Sequence, residues 1–217
     1  MNQICYIIGA GDAKDIYIDE TDNHYIIAAD GGYTYLESQG IAADLVVGDF
    51  DSLGRVPEHE YVIRHQPEKD DTDLLLAVKE GFAKGYQTFI IYGALGGRLD
   101  HTYGNIQILT YIAERGGVGY LLQDETVMTT IMNETISFDE SYAGIISIFS
   151  AGDCARGVYL KGLKYELTDA TLTYSVPLGV SNEFIGTPST VSVENGTLVI
   201  MWSHNMQETV NHLPKVY

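Results

Sequence analysis

Asp44-Leu45-Val46-Val47-Gly48-Asp49-Phe50-Asp51-Ser52 carries an unbroken apolar run straight into two carboxylates. Leu45, Val46 and Val47 show none of the polar alternation of a half-exposed strand, so the run predicts a strand covered on both faces, as in a parallel sheet. Gly48 is read as the residue that lets the backbone turn tightly after it. Asp49 and Asp51 stand two apart, so an extended chain projects both to one side, a spacing suited to a hard cation. An Asx-type turn is the purely structural alternative.

Working outward, the same pattern recurs. Gln3 to Ile8 is an apolar run closed by Gly9-Ala10-Gly11-Asp12. The third glycine of a dinucleotide fingerprint would fall at position 14, which is Lys14, so Gly9-x-Gly11 reads as a turn. Tyr25 to Ala29 ends in Asp30-Gly31-Gly32, after which Tyr33 to Gln39 suits a short helix stopped by Gly40. Tyr61 to Ile63 is a further short strand. Leu74, Leu75, Val78 and Phe82 are spaced as one helical face, with Thr72 or Asp71 as N-cap. Thr88 to Tyr92 is the next buried strand; it runs into Gly93-Ala94-Leu95-Gly96-Gly97-Arg98-Leu99-Asp100-His101, and Ile106, Leu109, Ile112 and Ala113 then mark a helix. Val118 to Leu122 completes the alternation of strand and helix.

That alternation predicts an α/β unit over residues 1–132: a doubly wound, mostly parallel sheet with helices on both faces. In such sheets ligands bind at the carboxyl ends of the strands. Asp30, Asp49, Asp51, Asp100 and the glycines all fall there, which argues for one composite site. The glycine-rich loop before the helix at Asp100 offers backbone N–H groups to phosphate oxygens, and Arg98 adds a planar donor fork. It lacks the Gly-Lys-Ser/Thr of a Walker A loop. Asp70, Asp71 and Asp73 crowd like charges together at a helix start, where one acid is favoured by the macrodipole but three need a cation or donors to offset their repulsion.

From about Asn133 the texture changes. Short strand candidates recur at 145–149, 157–160, 163–167, 170–175 and 189–194, and Asn195-Gly196 is a two-residue hairpin signal. Residues 133–217 are therefore expected to form an all-β, sandwich-like domain. Leu178 to Phe184 reads as a loop.

Composition narrows the partners. Asp plus Glu number 30 against 12 Lys plus Arg, giving a formal charge of -18, and from Asp44 to Asp73 acids outnumber bases nine to three. Such a chain repels a phosphate backbone and favours a metal or a small organic cation, so nucleic acid is excluded as a partner. Cys5 and Cys154 have neither metal-ligand nor disulfide-framework spacing, which points to reduced thiols and a cytoplasmic setting. The N-terminal run is too short for a membrane span and has no positively charged leader, so no membrane partner is expected.

Taken in order, Asp30-Gly31-Gly32, Gly48-Asp49-Phe50-Asp51-Ser52, Lys69-Asp70-Asp71-Thr72-Asp73, Gly96-Gly97-Arg98-Leu99-Asp100-His101 and Gly179-Val180-Ser181-Asn182-Glu183-Phe184 resemble the thiamine pyrophosphokinase family. The resemblance implies transfer of a pyrophosphoryl group from ATP to the hydroxyl of thiamine by a homodimer with a shared site, an α/β ATP-binding domain and a β-rich thiamine-binding domain. It implies Mg2+ held by Asp70, Asp73 and Asp100, catalytic roles for Asp49, Asp51, Asp73 and Asp100, and places Asp71 on a variable position. ATP contacts are expected from Asp30, Gly31, Gly32, Gly96, Gly97, Arg98 and His101, and thiamine contacts from Ser181 and Asn182. His101 is either a phosphate donor or a support for Asp100. Trp202 is a candidate for an aromatic thiamine contact. The rival readings are another Mg2+-dependent phosphotransferase or phosphohydrolase on the same sheet, and a non-catalytic acidic ligand sensor.

Overall fold

In a computed structural model the chain forms two compact units, Met1–Ile108 with Leu121–Gln123, and Leu109–Tyr120 with Asp124–Tyr217. The structure describes residues 3–13, 15–19, 23–50, 56–65, 71–203, 210 and 212–217; Asp51, Ser52, Lys69 and Asp70 lie outside them.

The first unit is built on parallel strands. β1 (Gln3–Ile8), β2 (Asn23–Ala29), β3 (Leu45–Gly48) and β4 (Val62–Arg64) step away in one direction, while β5 (Thr88–Tyr92) and β6 (Val118–Gln123) lie on the other side of β1, giving the order β6-β5-β1-β2-β3-β4. Pairing of β1 with β2 and β5, of β2 with β3 and of β3 with β4 is parallel. The central strands are apolar without alternation because they are covered on both faces: Cys5 to Ile8, Ile27, Ala28, Val46, Val47 and Phe89 to Ile91 are all fully buried. Burial pushes the Cys5 thiol well above its ordinary range.

Three helices join these strands: α1 (Gly32–Gln39), α2 (Asp73–Ala83) and α3 (Leu99–Ala113). Gly40 ends α1 in the left-handed conformation, the usual glycine terminator. For α2 the N-cap is Thr72, whose Oγ1 accepts from the Leu75 N–H at 3.2 Å. Leu74, Ala77, Val78 and Gly81 are its buried face. Gly81 allows close approach to β5, since a Cβ there would lie 2.5 Å from Phe89 Cε1.

Two readings of the opening stretch change. Gly48 is the last residue of β3 rather than a turn, and what it supplies is space: a Cβ would come within 3.1 Å of the Asp30 Cα and 3.2 Å of the Phe50 ring. Beyond it the chain is not extended, because Phe50 takes φ 64 with its ring buried. The extended chain on which the two-apart argument rested is thus absent at Phe50, and Asp51 lies outside the described residues. A bulky residue held left-handed costs on the order of 1–3 kcal/mol, and burial of the Phe50 ring, about 1.5–3 kcal/mol, offsets that.

Among its described residues the second unit is built of β-strands, apart from the end of α3 and helical Val210. β12 (Gly179–Glu183), β9 (Ile145–Ser150), β14 (Thr197–Ser203) and β7 (Thr126–Met132) are adjacent in that order, with antiparallel pairing throughout. A second antiparallel sheet runs β11 (Leu167–Thr173), β10 (Cys154–Lys161), β13 (Ser189–Asn195), β8 (Thr135–Phe138), β15 (Lys215–Val216). Phe138, Tyr142, Phe184 and Trp202 form an aromatic core with ring centroids 5.0 to 5.7 Å apart across successive pairs.

Asn195-Gly196 does not close a hairpin. β13 and β14 belong to different sheets, so the turn carries the chain from one sheet to the other. Gly196 donates its N–H to Asn133 Oδ1, and a Cβ there would stand 2.9 Å from the Ala155 Cα. Residues 163–166 are not a strand, though Leu163 bridges Phe184 just past β12, and residues 179–183, read as a loop, form β12.

Candidate active site

The strand order reverses at β1, whose neighbours β2 and β5 lead the chain away in opposite directions, so a crevice is expected at the carboxyl ends of β1 and β5. Two backbone contacts build it. Gly9 N–H donates to the Tyr92 carbonyl at 2.8 Å and Gly11 N–H to the Gly93 carbonyl at 2.8 Å. These segments fit only because both sides lack side chains: a Cβ on Gly9 would sit 2.6 Å from the Gly93 oxygen, and one on Gly93 2.5 Å from the Gly9 oxygen. The crevice is a cavity of about 420 Å³.

Acids reach it from three directions. Asp30, at the end of β2, is held left-handed at φ 48 by its N–H to the Val47 carbonyl, and Asp49 follows β3. Asp71 and Asp73 approach from the start of α2. The fourth wall is the loop after β5, where Gly96 and Gly97 take φ 78 and 64 and are followed by Arg98; His101 and Asn105 join from α3. Asn105 Nδ2 donates to the Ala94 carbonyl at 2.6 Å, and Thr102 Oγ1 to the Gly96 carbonyl at 3.2 Å, so the first turns of α3 hold the loop in place. Exposed glycine amides beside a guanidinium suit phosphate oxygens.

Of the residues singled out in the sequence, the cavity thus gathers Asp30, Asp49, Asp73, Gly96, Gly97, Arg98 and His101. Gly32 is not among the residues that line the cavity, and a Cβ there would overlap the Ile8 carbonyl oxygen. Gly31 is the N-cap of α1. Asp100, exposed in the first turn of α3, is paired with Arg98 and accepts the His101 N–H through Oδ1. The Arg98 guanidinium holds its carboxyl below the usual range. Asp71 is paired with Lys79 at 2.5 Å. In the second unit Ser181 is exposed while Asn182 is 3% exposed. Trp202 is a core residue at 2% exposure, not a surface contact.

The sequence reading missed Gly9 and Gly11 as lining residues. Their place after β1 was the available signal, but only the pairing of β1 with β5 brings them against Gly93. Among the described residues no three His, Cys, Asp or Glu side chains converge closely enough to hold a metal by themselves. Mg2+ needs only one or two carboxylates when phosphate oxygens complete its shell, so the acid-lined cavity fits a metal arriving with a nucleotide.

Comparison with known proteins agrees with this architecture. Residues 20–117 match the family model for the thiamin pyrophosphokinase catalytic domain, and residues 133–198 match that for the thiamin pyrophosphokinase vitamin B1 binding domain. Thiamine pyrophosphokinase of Bacillus subtilis (strain 168) is 32% identical over 209 residues, which span 90% of this chain and 97% of that protein. The crystal structure of a Bacillus subtilis thiamine pyrophosphokinase superposes with a TM-score of 0.81 at 26% identity, covering 94% of this chain and all of the other. That of Geobacillus thermodenitrificans gives 0.78 at 26% identity, covering 94% and 98%.

Fold, cavity and these likenesses place the chain among the kinases, enzymes that move phosphoryl groups from a nucleotide to an acceptor. Within that class it belongs to the thiamine pyrophosphokinase family.

Proposed function

We propose that the chain transfers the pyrophosphoryl group of ATP to the hydroxyl of thiamine, giving thiamine diphosphate and AMP. The observation that carries this reading is the cavity at the switch point of the sheet, which sets glycine amides and Arg98 opposite Asp30, Asp49 and Asp73. In the reaction the thiamine hydroxyl oxygen bonds to the β-phosphorus, the bond from that phosphorus to the α,β-bridging oxygen breaks, and AMP leaves with that oxygen. The hydroxyl proton passes to a carboxylate of the cavity, with Asp49, Asp51, Asp73 and Asp100 as the candidates. Gly96, Gly97 and Arg98 bind the triphosphate, with Asp30, Gly31, Gly32 and His101 completing the nucleotide site, so most of the catalysis is alignment and charge neutralisation.

Mg2+ would be held by Asp73 and Asp100 with Asp70, and when bound it neutralises charge on the phosphates. Residues 1–132 serve ATP and residues 133–217 serve thiamine through Ser181 and Asn182; the two separate family matches support that division. The working unit is a homodimer with a shared site, which the exposed apolar side chains of Leu178, Val180 and Ile185 support. The free thiols of Cys5 and Cys154 suit a reducing cytoplasm. Among the described residues no helix is long and apolar enough to cross a membrane.

Incubation with ATP, Mg2+ and thiamine, read for AMP and thiamine diphosphate together, tests the reading. ADP or inorganic phosphate as the product would favour a different phosphotransferase or a phosphohydrolase, and no turnover would favour a ligand sensor.

A further inference from the structure

The strand β12 is irregular at the residue proposed to meet thiamine. Gly179 pairs with Ile148 and Asn182 with Ile146, so three steps along β12 match two along β9, and one extra residue is accommodated as a bulge. Ser181 lies within it at φ 57, a conformation that favours glycine or asparagine over serine.

Gly179, Asn182 and Phe184 each have a visible structural task. Gly179 has no space for a side chain, because a Cβ would overlap the Ile148 carbonyl oxygen. Phe184 packs into the aromatic core. Asn182 is buried with its amide engaged on both sides: Oδ1 accepts from the Tyr165 N–H and the Glu183 N–H, each at 2.9 Å, and Nδ2 donates to the Tyr165 carbonyl at 2.7 Å. This clamp holds the chain at Tyr165 against β12, and Lys164 closes it with its N–H to the Glu183 carbonyl at 3.0 Å. The backbone N–H of Ser181 is taken by the side chain of Ser147 on β9, at 3.0 Å.

The geometry points to Ser147 and Asn182 as positioning residues for thiamine binding, which together fix Ser181 in its left-handed conformation and leave its side chain exposed. Ser147 supplies an acceptor for an N–H at the irregularity of the ladder, and Asn182 fixes the residue that follows. Asn182, its amide engaged within the chain, thus serves thiamine by holding Ser181. The inference rests on the thiamine-binding reading of Ser181, and the experiment separates the two.

Steady-state kinetics are measured for Ser181→Ala, Ser147→Ala, Ser147→Thr and Asn182→Asp, with KM taken separately for thiamine and for ATP and with melting temperature recorded. Ser147→Ala, which removes one hydrogen bond, is expected to raise KM for thiamine about fivefold, leaving KM for ATP within about twofold and the melting temperature within a few degrees. Ser147→Thr retains the hydroxyl and should restore wild-type KM. Asn182→Asp sets a carboxylate oxygen against the Tyr165 carbonyl and should raise KM for thiamine further. If Ser181→Ala raises KM for thiamine while Ser147→Ala and Ser147→Thr both behave as wild type, the bracing role is wrong. If Ser147→Ala shifts both KM values together with the melting temperature, Ser147 supports only the fold and the inference is again overturned. A silent Ser181→Ala removes the thiamine reading of this segment, and the inference with it.

Discussion

The Arg98 guanidinium holds both oxygens of the Asp100 carboxylate, with Nε 3.2 Å from Oδ1 and a terminal nitrogen 2.6 Å from Oδ2. Arg98 lines the cavity, so the pair links the phosphate-seeking group of the loop to the acid proposed for the metal. Both side chains are exposed, at 71% and 65%, so the pair adds little to stability. In the proposed reaction, a nucleotide phosphate would compete with Asp100 for Arg98 at small cost, freeing the guanidinium for phosphate and the carboxylate for a cation.

Arg98→Lys keeps the charge but loses the planar fork, so KM for ATP should rise on the order of tenfold with the melting temperature unchanged. Steady-state kinetics beside a thermal melt check this; a fragile protein would mean that Arg98 serves the fold. The Asp100 carboxyl is held below its ordinary value, first by the Arg98 hydrogen bond. A depressed acid gives its stabilisation fully above the unfolded carboxylate range and loses it as pH falls through the lower folded value. Asp100→Asn should accordingly lower stability only slightly, by a constant amount from neutral pH down to that range, with the difference shrinking as pH falls further, while abolishing turnover.

Asp71 and Asp73 separate by their surroundings. Both line the cavity; Asp71 is paired with Lys79, and Asp73 is the first residue of α2. Asp71→Asn should keep most of the activity, and Asp73→Asn should lower kcat on the order of a hundredfold or more. Because the acids repel one another without a cation, Mg2+ with ATP should raise the melting temperature of the wild type by mass action and raise that of Asp73→Asn less. Equal losses of activity in the two variants would overturn the assignment.

Two glycines are required by space. Gly32→Ala drives a methyl into the Ile8 carbonyl, a backbone atom at the centre of the sheet, and should cost at least about 3 kcal/mol by chemical denaturation. Gly48→Ala meets the Phe50 ring and the Asp30 backbone at 3.2 and 3.1 Å, which can give slightly. It should fold, with a melting temperature lowered by several degrees and weakened ATP use, because both acids of the cavity nearest to it are displaced.

Trp202 is the single tryptophan and is buried against Phe138 at 5.3 Å and Tyr120 at 6.4 Å. Its emission should be blue-shifted, resistant to acrylamide, and unchanged by saturating thiamine. A thiamine-dependent change in intensity or wavelength would return it to the site. Trp202→Ala should cost about 3–5 kcal/mol through the cavity it leaves.

The sequence alone determined the strands of the parallel sheet, because Ile4 to Ile8, Leu45 to Val47 and Phe89 to Ile91 are short runs bounded by glycine and apolar throughout, as strands covered on both faces must be. It also pointed to the loops that line the cavity, since Asp30, Asp49, Arg98 and the glycines all follow strand ends. Tertiary structure decided what local pattern leaves undetermined. Gly9 and Gly11 become cavity walls only when β1 pairs with β5. Gly48 proves to be about volume rather than turning, Asn195-Gly196 changes sheets because β13 and β14 find other partners, and Asn182 becomes a clamp only when residue 165 returns to meet it. In each case the deciding partner lies distant in sequence, and periodicity reports only neighbours along the chain.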